Sequence, residues 1–363
     1  VRPFLATLAL LLAAVAGVNG LATWIRSIDD ARLRTASSGA FVPGQVLIGY
    51  RYVNERTFQR QRLHAIPRPR AVAFGSSRVM QLDTTLLGLR PGAFYNTALS
   101  SGTVEDFIGL WATLKRLGKT PEVAYFSIDG WVFNERFPQV GWLAYADEVA
   151  RFSAGSSGPA AQVIARLSVL QYRWYHAKEL LSYAVLRQSA QDLRAVLRGQ
   201  RRSHHDEPEA LVPEKAAAGL RALRADGSLI YERAVQARTV DDVREHAGYY
   251  LRDNVHLADF HWDAARAARL HALWRDLRAE GVRVIAYMPP YHPAVWRVLS
   301  RDARSAAPLA QAREFLQREA EALGVRFADF SDPASIPCAE TEFFDGVHPR
   351  PGCLEKLLAR LRS

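Results

Sequence analysis

Short apolar runs that break at glycine or serine, separated by stretches of helical periodicity, constrain this chain more than anything else in its sequence. Arg70–Val79 (RAVAFGSSRV), Gly92–Leu99, Glu122–Ile128 (EVAYFSI), Val282–Met288 (VRVIAYM) and Val325–Phe330 read as buried strands. Thr103 can cap a helix reaching about Leu117, with Asp106 at its third position completing a capping-box pattern. A helix over 308–323 and a short basic helix at the C-terminus complete the alternation. The expected fold is α/β: a three-layer, flavodoxin-like parallel sheet with helices on both faces. Ligands in such sheets bind at the carboxyl ends of the strands, and the motifs discussed below fall there. A weaker strand signal covers Gln45–Val53, and residues 141–270 read as a helical insertion with periodicity strongest from about Ala160 to Leu197. Further helices are expected near 214–224, 240–252 and 260–280, with a turn at Asp226-Gly227-Ser228 before a short extended piece, Leu229–Glu232.

No charged residue occurs between Pro3 and Ile25, and that stretch is dominated by Leu, Ala and Val. As a helix rising about 1.5 Å per residue it would cross a hydrocarbon core roughly 30 Å thick. Arg2 and Arg26 bracket it, and Trp24 stands where an interfacial aromatic would. The expected organisation is therefore a transmembrane signal-anchor over 1–26, a stalk and lead-in over 27–67, and the α/β domain over 68–363. The alternative is a cleaved signal peptide, with Ala14-Val15-Ala16 as the cleavage site. Either way the remainder is exported. For an anchored chain this means a single-pass protein of a bacterial inner membrane, with its domain facing the periplasm or cell exterior. Cys338 and Cys353 are the two cysteines, and in such a compartment they can pair as a disulfide or remain two thiols. The formal charge of +10 is mostly arginine, spread along the chain. It reflects base composition or an anionic partner, and without a nucleic-acid-binding signature it does not argue for nucleic acid.

A serine hydroxyl becomes a nucleophile only with a base in hydrogen-bond reach, a group orienting that base, and N–H donors for the oxyanion. Ser77 directly follows a strand and a glycine, a pattern that on its own is most often a plain turn. Gly102 closes another strand, where its N–H could face a ligand. Asp345 and His348 are spaced so that one loop can hold the carboxylate against the imidazole Nδ1–H and leave Nε2 for the serine.

In order and at strand ends, these residues resemble the SGNH (GDSL-like) hydrolases, whose blocks run Gly-Asp-Ser, Gly, Gly-x-Asn and Asp-x-x-His. Phe74-Gly75-Ser76-Ser77 looks like the first block, with Ser76 in place of the aspartate. Asn96 to Gly102 looks like the second and Asp345 to Pro349 like the last. The resemblance spans about 68–135 and 280–362. It implies a Ser77–His348–Asp345 triad with Ser77 and Gly102 as oxyanion donors. No Gly-x-Asn follows the strand at 122–128; Ser127-Ile128-Asp129-Gly130-Trp131 stands there, and Asn134 is the residue that could reach back as third donor. An ionised Asp129 would repel an oxyanion. With the apolar N-terminus, the chain is similar to the anchored members that serve teichoic-acid D-alanylation and exopolysaccharide O-acetylation. That implies an acyl ester of an envelope glycan as substrate, a membrane-bound O-acyltransferase as partner, and no metal or organic cofactor.

Ser76, Arg78, Asp129, Trp131 and His292 are expected to line the pocket, although a packing role for His292 in the proline-stiffened Pro289–Pro293 loop is the plainer account. His204 and His205 are adjacent and cannot share a helix face as metal ligands. Two other readings stand beside the enzyme: a membrane-tethered scaffold without catalysis, and a secreted esterase for small or lipid esters.

Overall fold

The computed structural model describes residues 41–49, 55–137, 139, 141–156 and 210–362, with 10–22 and scattered positions at 3, 6, 7 and between 181 and 198. The expected stalk before residue 41, most of the helical stretch 160–197 and the polar run around His204 and His205 lie outside the described residues. Residues 10–22 are helical, and among the described residues no helix is long and apolar enough to cross a membrane. The stretch from Pro3 to Ile25 is only partly described.

The strands are β1 (Gln45–Ile48), β2 (Ala71–Phe74), β3 (Phe94–Asn96), β4 (Val123–Ser127), β5 (Ala210–Pro213), β6 (Ala222–Arg224), β7 (Leu229–Ile230), β8 (Arg283–Met288) and β9 (Arg326–Asp329). One sheet has the order β3-β2-β4-β8-β9, with every pair parallel. Counted among its own strands this is 2-1-3-4-5, the flavodoxin-like order.

Successive residues of a strand face opposite sides. Val72, Phe74, Ala124, Phe126, Val284 and Ala286 therefore join one apolar cluster, while Ala71, Ala73, Val123, Tyr125, Ile285 and Tyr287 join another. Helices cover both faces, so the layering is helix, sheet, helix, and the strands read as continuous apolar runs rather than alternating ones. After α1 (Glu55–Ala65) come α2 (Val104–Arg116), α3 (Ala146–Ser156), α4 (Val240–Tyr250), α5 (Ala264–Ala279), α6 (Pro293–Leu299), α7 (Ala303–Leu323) and α8 (Pro351–Arg362). The first face packs on Phe107 and Trp111 of α2, Leu270 and Trp274 of α5, and Leu316 of α7. The second packs on Leu357, Leu358 and Leu361 of α8. The capping box of α2 forms as expected, with Thr103 and Asp106 bonding reciprocally.

The insertion holds more strand than the one extended piece expected at Leu229–Glu232, where a strand does form. Strands β5, β6 and β7 lie within it, and β5 and β6 flank β1 in a small antiparallel sheet. The helix expected near 214–224 is a single 3-10 turn, Glu214–Ala217, followed by β6. Gly219 at φ +87 breaks the helical path, and pairing with β1 overrides the alanine-rich propensity of the segment. The lead-in is equally part of the fold, because β1 is an inner strand of this sheet, between β5 and β6. The Asp226-Gly227 turn docks on the parallel sheet: Asn96 N donates to Asp226 O at 2.7 Å, and a Cβ on Gly227 would lie 2.2 Å from Asn96 O.

Candidate active site

Strand β2 ends in a turn that only glycine permits. A Cβ on Gly75 would stand 2.6 Å from Val79 Cγ1 and 2.9 Å from Ser127 Cβ. Ser76 then caps the 3-10 turn Ser77–Val79, accepting from Arg78 N at 3.3 Å through its hydroxyl. This sets Ser77 at the carboxyl end of β2, beside β4, where the strand order reverses.

Ser77 Oγ lies 2.8 Å from His348 Nε2 across 271 residues of sequence. His348 Nδ1 lies 2.8 Å from Asp345 Oδ2 and 2.9 Å from Oδ1. Asp345 Oδ1 also accepts from the N–H groups of Val347, at 2.9 Å, and His348, at 3.0 Å, and Tyr250 Oη reaches Oδ2 at 3.4 Å. Burial opposes ionisation of Asp345. The charge His348 carries when protonated, with the N–H donors, outweighs it and holds the carboxyl well below the usual carboxylate range. A carboxylate so placed fixes the Nδ1–H tautomer and leaves Nε2 to accept from Ser77.

The loop carrying both residues is suspended by its carbonyls. Phe343 O accepts from Arg350 Nε, Phe344 O from Arg238 Nη1, Gly346 O from His292 N and Val347 O from Arg78 Nε, all at 2.9–3.0 Å. Gly346 is required because a Cβ there would lie 2.9 Å from Val295 Cγ2 and 3.0 Å from Ala247 Cα. Cys338 and Cys353 form a disulfide that brackets this loop and ties it to α8.

The expected pocket residues divide. Arg78 is buried, its Nη1 2.5 Å from Asp129 Oδ1. Burial disfavours its charge, but Asp129 more than compensates, so the guanidinium is held above its ordinary pKa. Asp129 is thus neutralised by Arg78 and does not confront the site as a bare carboxylate. Trp131 is a core residue, packed on Phe137 at 4.6 Å between ring centroids. His292 is buried, caps α6 through Nδ1 and packs edge-on against Phe343, beneath the loop.

Two oxyanion expectations need correction. Gly102 N donates to Leu99 O at 3.0 Å. Its lack of a side chain serves close packing instead, since a Cβ would lie 2.5 Å from Gly75 O. Asn134 is also engaged: Nδ2 donates to His256 O at 2.9 Å, and Oδ1 accepts from Arg136 N at 3.1 Å and His261 N at 3.0 Å. It clamps a left-handed stretch in which Asn254, Val255 and His256 have φ of 49, 56 and 63°, a conformation costly for a β-branched residue. Among the described residues, Ser77 N donates to no acceptor and stays available at the nucleophile.

Sequence reasoning missed several contributors. Tyr231 and Tyr250, both from the insertion, set their rings edge-on to the His348 imidazole with centroids 6.3 and 6.2 Å away. Glu55 and Arg56 of α1 hold the loop before Gly102: Glu55 accepts from Ser100 N at 2.7 Å, and Arg56 forks on Asp106 at 2.8 and 2.9 Å. No local motif marks these residues, because their partners are distant in sequence. A cavity of about 660 Å³ opens between α2, α3 and α5, lined by Trp111, Lys115, Arg151 and Arg275, and no triad residue lines it. Its size does not outrank the hydrogen-bonded chemistry at Ser77. No protein-family model and no curated protein sequence matches the chain.

Proposed function

We propose that this chain is a serine esterase or O-acyltransferase of SGNH type, acting on acetyl-like esters of an envelope glycan. The supporting observation is the hydrogen-bonded run from Ser77 Oγ through His348 to Asp345 at the carboxyl edge of the parallel sheet. Ser77 Oγ attacks the acyl carbonyl while its proton passes to His348 Nε2. The resulting oxyanion takes the Ser77 N–H, and the imidazolium is balanced by Asp345. Collapse expels the alcohol, which leaves with the proton from Nε2, and an acyl-serine remains. A water or a glycan hydroxyl then gives its proton to His348, attacks the acyl carbon and releases Ser77. Water yields hydrolysis, a glycan hydroxyl yields transfer, and the outcome depends on how far the site excludes water. The uncharged stretch from Pro3 to Ile25 and the loop disulfide favour work at the outer side of a bacterial inner membrane, alongside a membrane-bound O-acyltransferase.

Labelling with a fluorophosphonate probe tests this reading. The wild-type protein should be labelled and should turn over p-nitrophenyl acetate, while Ser77→Ala and His348→Ala should do neither. A second reading, a tethered scaffold without catalysis, is favoured by the engagement of Gly102 N and the Asn134 amide elsewhere. It expects an unlabelled wild type, and a Ser77→Ala protein that still supports glycan acylation in cells.

A further inference from the structure

We propose that Arg78 is the positioning residue of this site: its buried guanidinium sets where the base loop stands relative to the nucleophile. The inference rests on the serine-nucleophile reading above. Arg78 directly follows Ser77, so its backbone belongs to the nucleophile's own turn. Its side chain ends on three other loops around the site. Nε donates to Val347 O at 3.0 Å, Nη1 to Asp129 Oδ1 at 2.5 Å, and Nη2 to Pro289 O at 3.0 Å and Pro290 O at 2.5 Å. The guanidinium also lies 4.2 Å from the centroid of the Tyr291 ring. One planar group thereby joins the turns after β2, β4 and β8 to the loop of Asp345 and His348.

The contact with Val347 matters most. Val347 O and His348 N belong to the same peptide unit. Arg78 grips that unit by its carbonyl, and Asp345 Oδ1 grips it by its N–H at 3.0 Å. Rotating this peptide would move the imidazole and loosen its carboxylate together. Proton transfer across 2.8 Å tolerates little displacement, and a shift of about 1 Å can cost about a hundredfold in rate.

Lysine separates positioning from charge balance. A single Nζ can neutralise Asp129, but it cannot reproduce a fixed fork directed at several carbonyls. Arg78→Lys should therefore stay folded yet lose about a hundredfold in the rate of fluorophosphonate labelling, with kcat for p-nitrophenyl acetate falling and KM nearly unchanged. Arg78→Ala should be slower still, and guanidinium ion, unlike methylammonium, should restore part of its rate. An Arg78→Lys protein that is folded and labels like the wild type would overturn the proposal, since charge balance would then suffice. Variants that lose labelling only in proportion to lost folded protein would also overturn it. Failure of the underlying reading looks different, because the wild type itself would then not be labelled at Ser77.

Discussion

Around Asp345 and His348 the loop carbonyls and the Asp345 carboxylate serve one geometry, whereas around Gly102 and Asn134 the polar groups hold the fold itself. On the base side, the carbonyls of Phe343, Phe344, Gly346 and Val347 are each taken by a donor from another element, and both Asp345 oxygens are engaged. On the oxyanion side, Gly102 N closes a turn onto Leu99 and the Asn134 amide clamps the left-handed stretch at Asn254–His256. The difference teaches that a residue in a suggestive position has to be judged by where its donors go. His348 and Asn134 are both polar residues near strand ends, yet one is held against the nucleophile and the other is turned onto the His256 backbone.

Two substitutions drive the sides apart. Asp345→Asn should cut turnover of p-nitrophenyl acetate on the order of 10³–10⁴-fold, because the tautomer and the balance of the imidazolium are lost together. Asn134→Leu should do the reverse. It strands the partners His256 O, Arg136 N and His261 N, and should cost about 1–3 kcal/mol in denaturant unfolding. Turnover per folded molecule should hardly change. If Asn134→Leu instead abolished turnover in a fully folded protein, the amide would have to swing into the site, and the contrast between the two sides would fail.

The disulfide sharpens the same contrast. Closing the short loop between Cys338 and Cys353 should contribute about 3 kcal/mol in the chain-entropy model. The double variant Cys338→Ala with Cys353→Ala should lower the urea midpoint accordingly. Below that midpoint it should still be labelled at Ser77 at close to the wild-type rate, because the carbonyl bonds of the loop remain. A folded double variant with little labelling would show that the covalent tie, and not the hydrogen bonds, sets the base.

The parallel sheet was legible because its strands are buried on both faces and its turns break at glycine or serine. Those are local signals. Ser77, Asp345 and His348 were legible only as a set, through their order at strand ends and the resemblance that order carries, with Gly75 and Gly346 at the close approaches that shape their loops. The antiparallel sheet was legible only in part, at Gln45–Val53 and Leu229–Glu232; β6 lies in an alanine-rich segment and becomes a strand only when β1 supplies an edge far away in the chain. Arg78 was legible as a residue near the site but not in its role, which depends on carbonyls of Pro289, Pro290 and Val347 that no spacing pattern could bring together. Asn134 failed in the opposite sense: its residue type suited a donor, and only the partners at Arg136, His256 and His261 show that its amide is turned to the fold.

The smallest expected effect concerns His292, which supports the base loop from below. Its backbone N donates to Gly346 O at 3.0 Å, and its Nδ1 accepts from Ala294 N at 3.1 Å. The ring proton therefore sits on Nε2, which is buried and has no hydrogen-bond partner among the described residues. Burial lowers the His292 pKa, as do Arg244 and Arg297, while Glu340 and Asp345 work in the other direction. The unfolded chain, with an imidazole pKa of about 6.5, binds the proton more readily than the folded one. The stability contributed by the neutral ring is thus fully present above about pH 6.5 and is lost as pH falls through the lower folded value. His292→Asn keeps a side-chain acceptor for the cap and removes the titration. Between pH 7.5 and pH 5 the wild-type urea midpoint should fall more steeply than that of the variant. Other titrating groups are common to both proteins and cancel in the comparison. Parallel curves would mean that His292 takes up its proton in the folded state without cost, and that the loop can open enough beneath Gly346 to admit water.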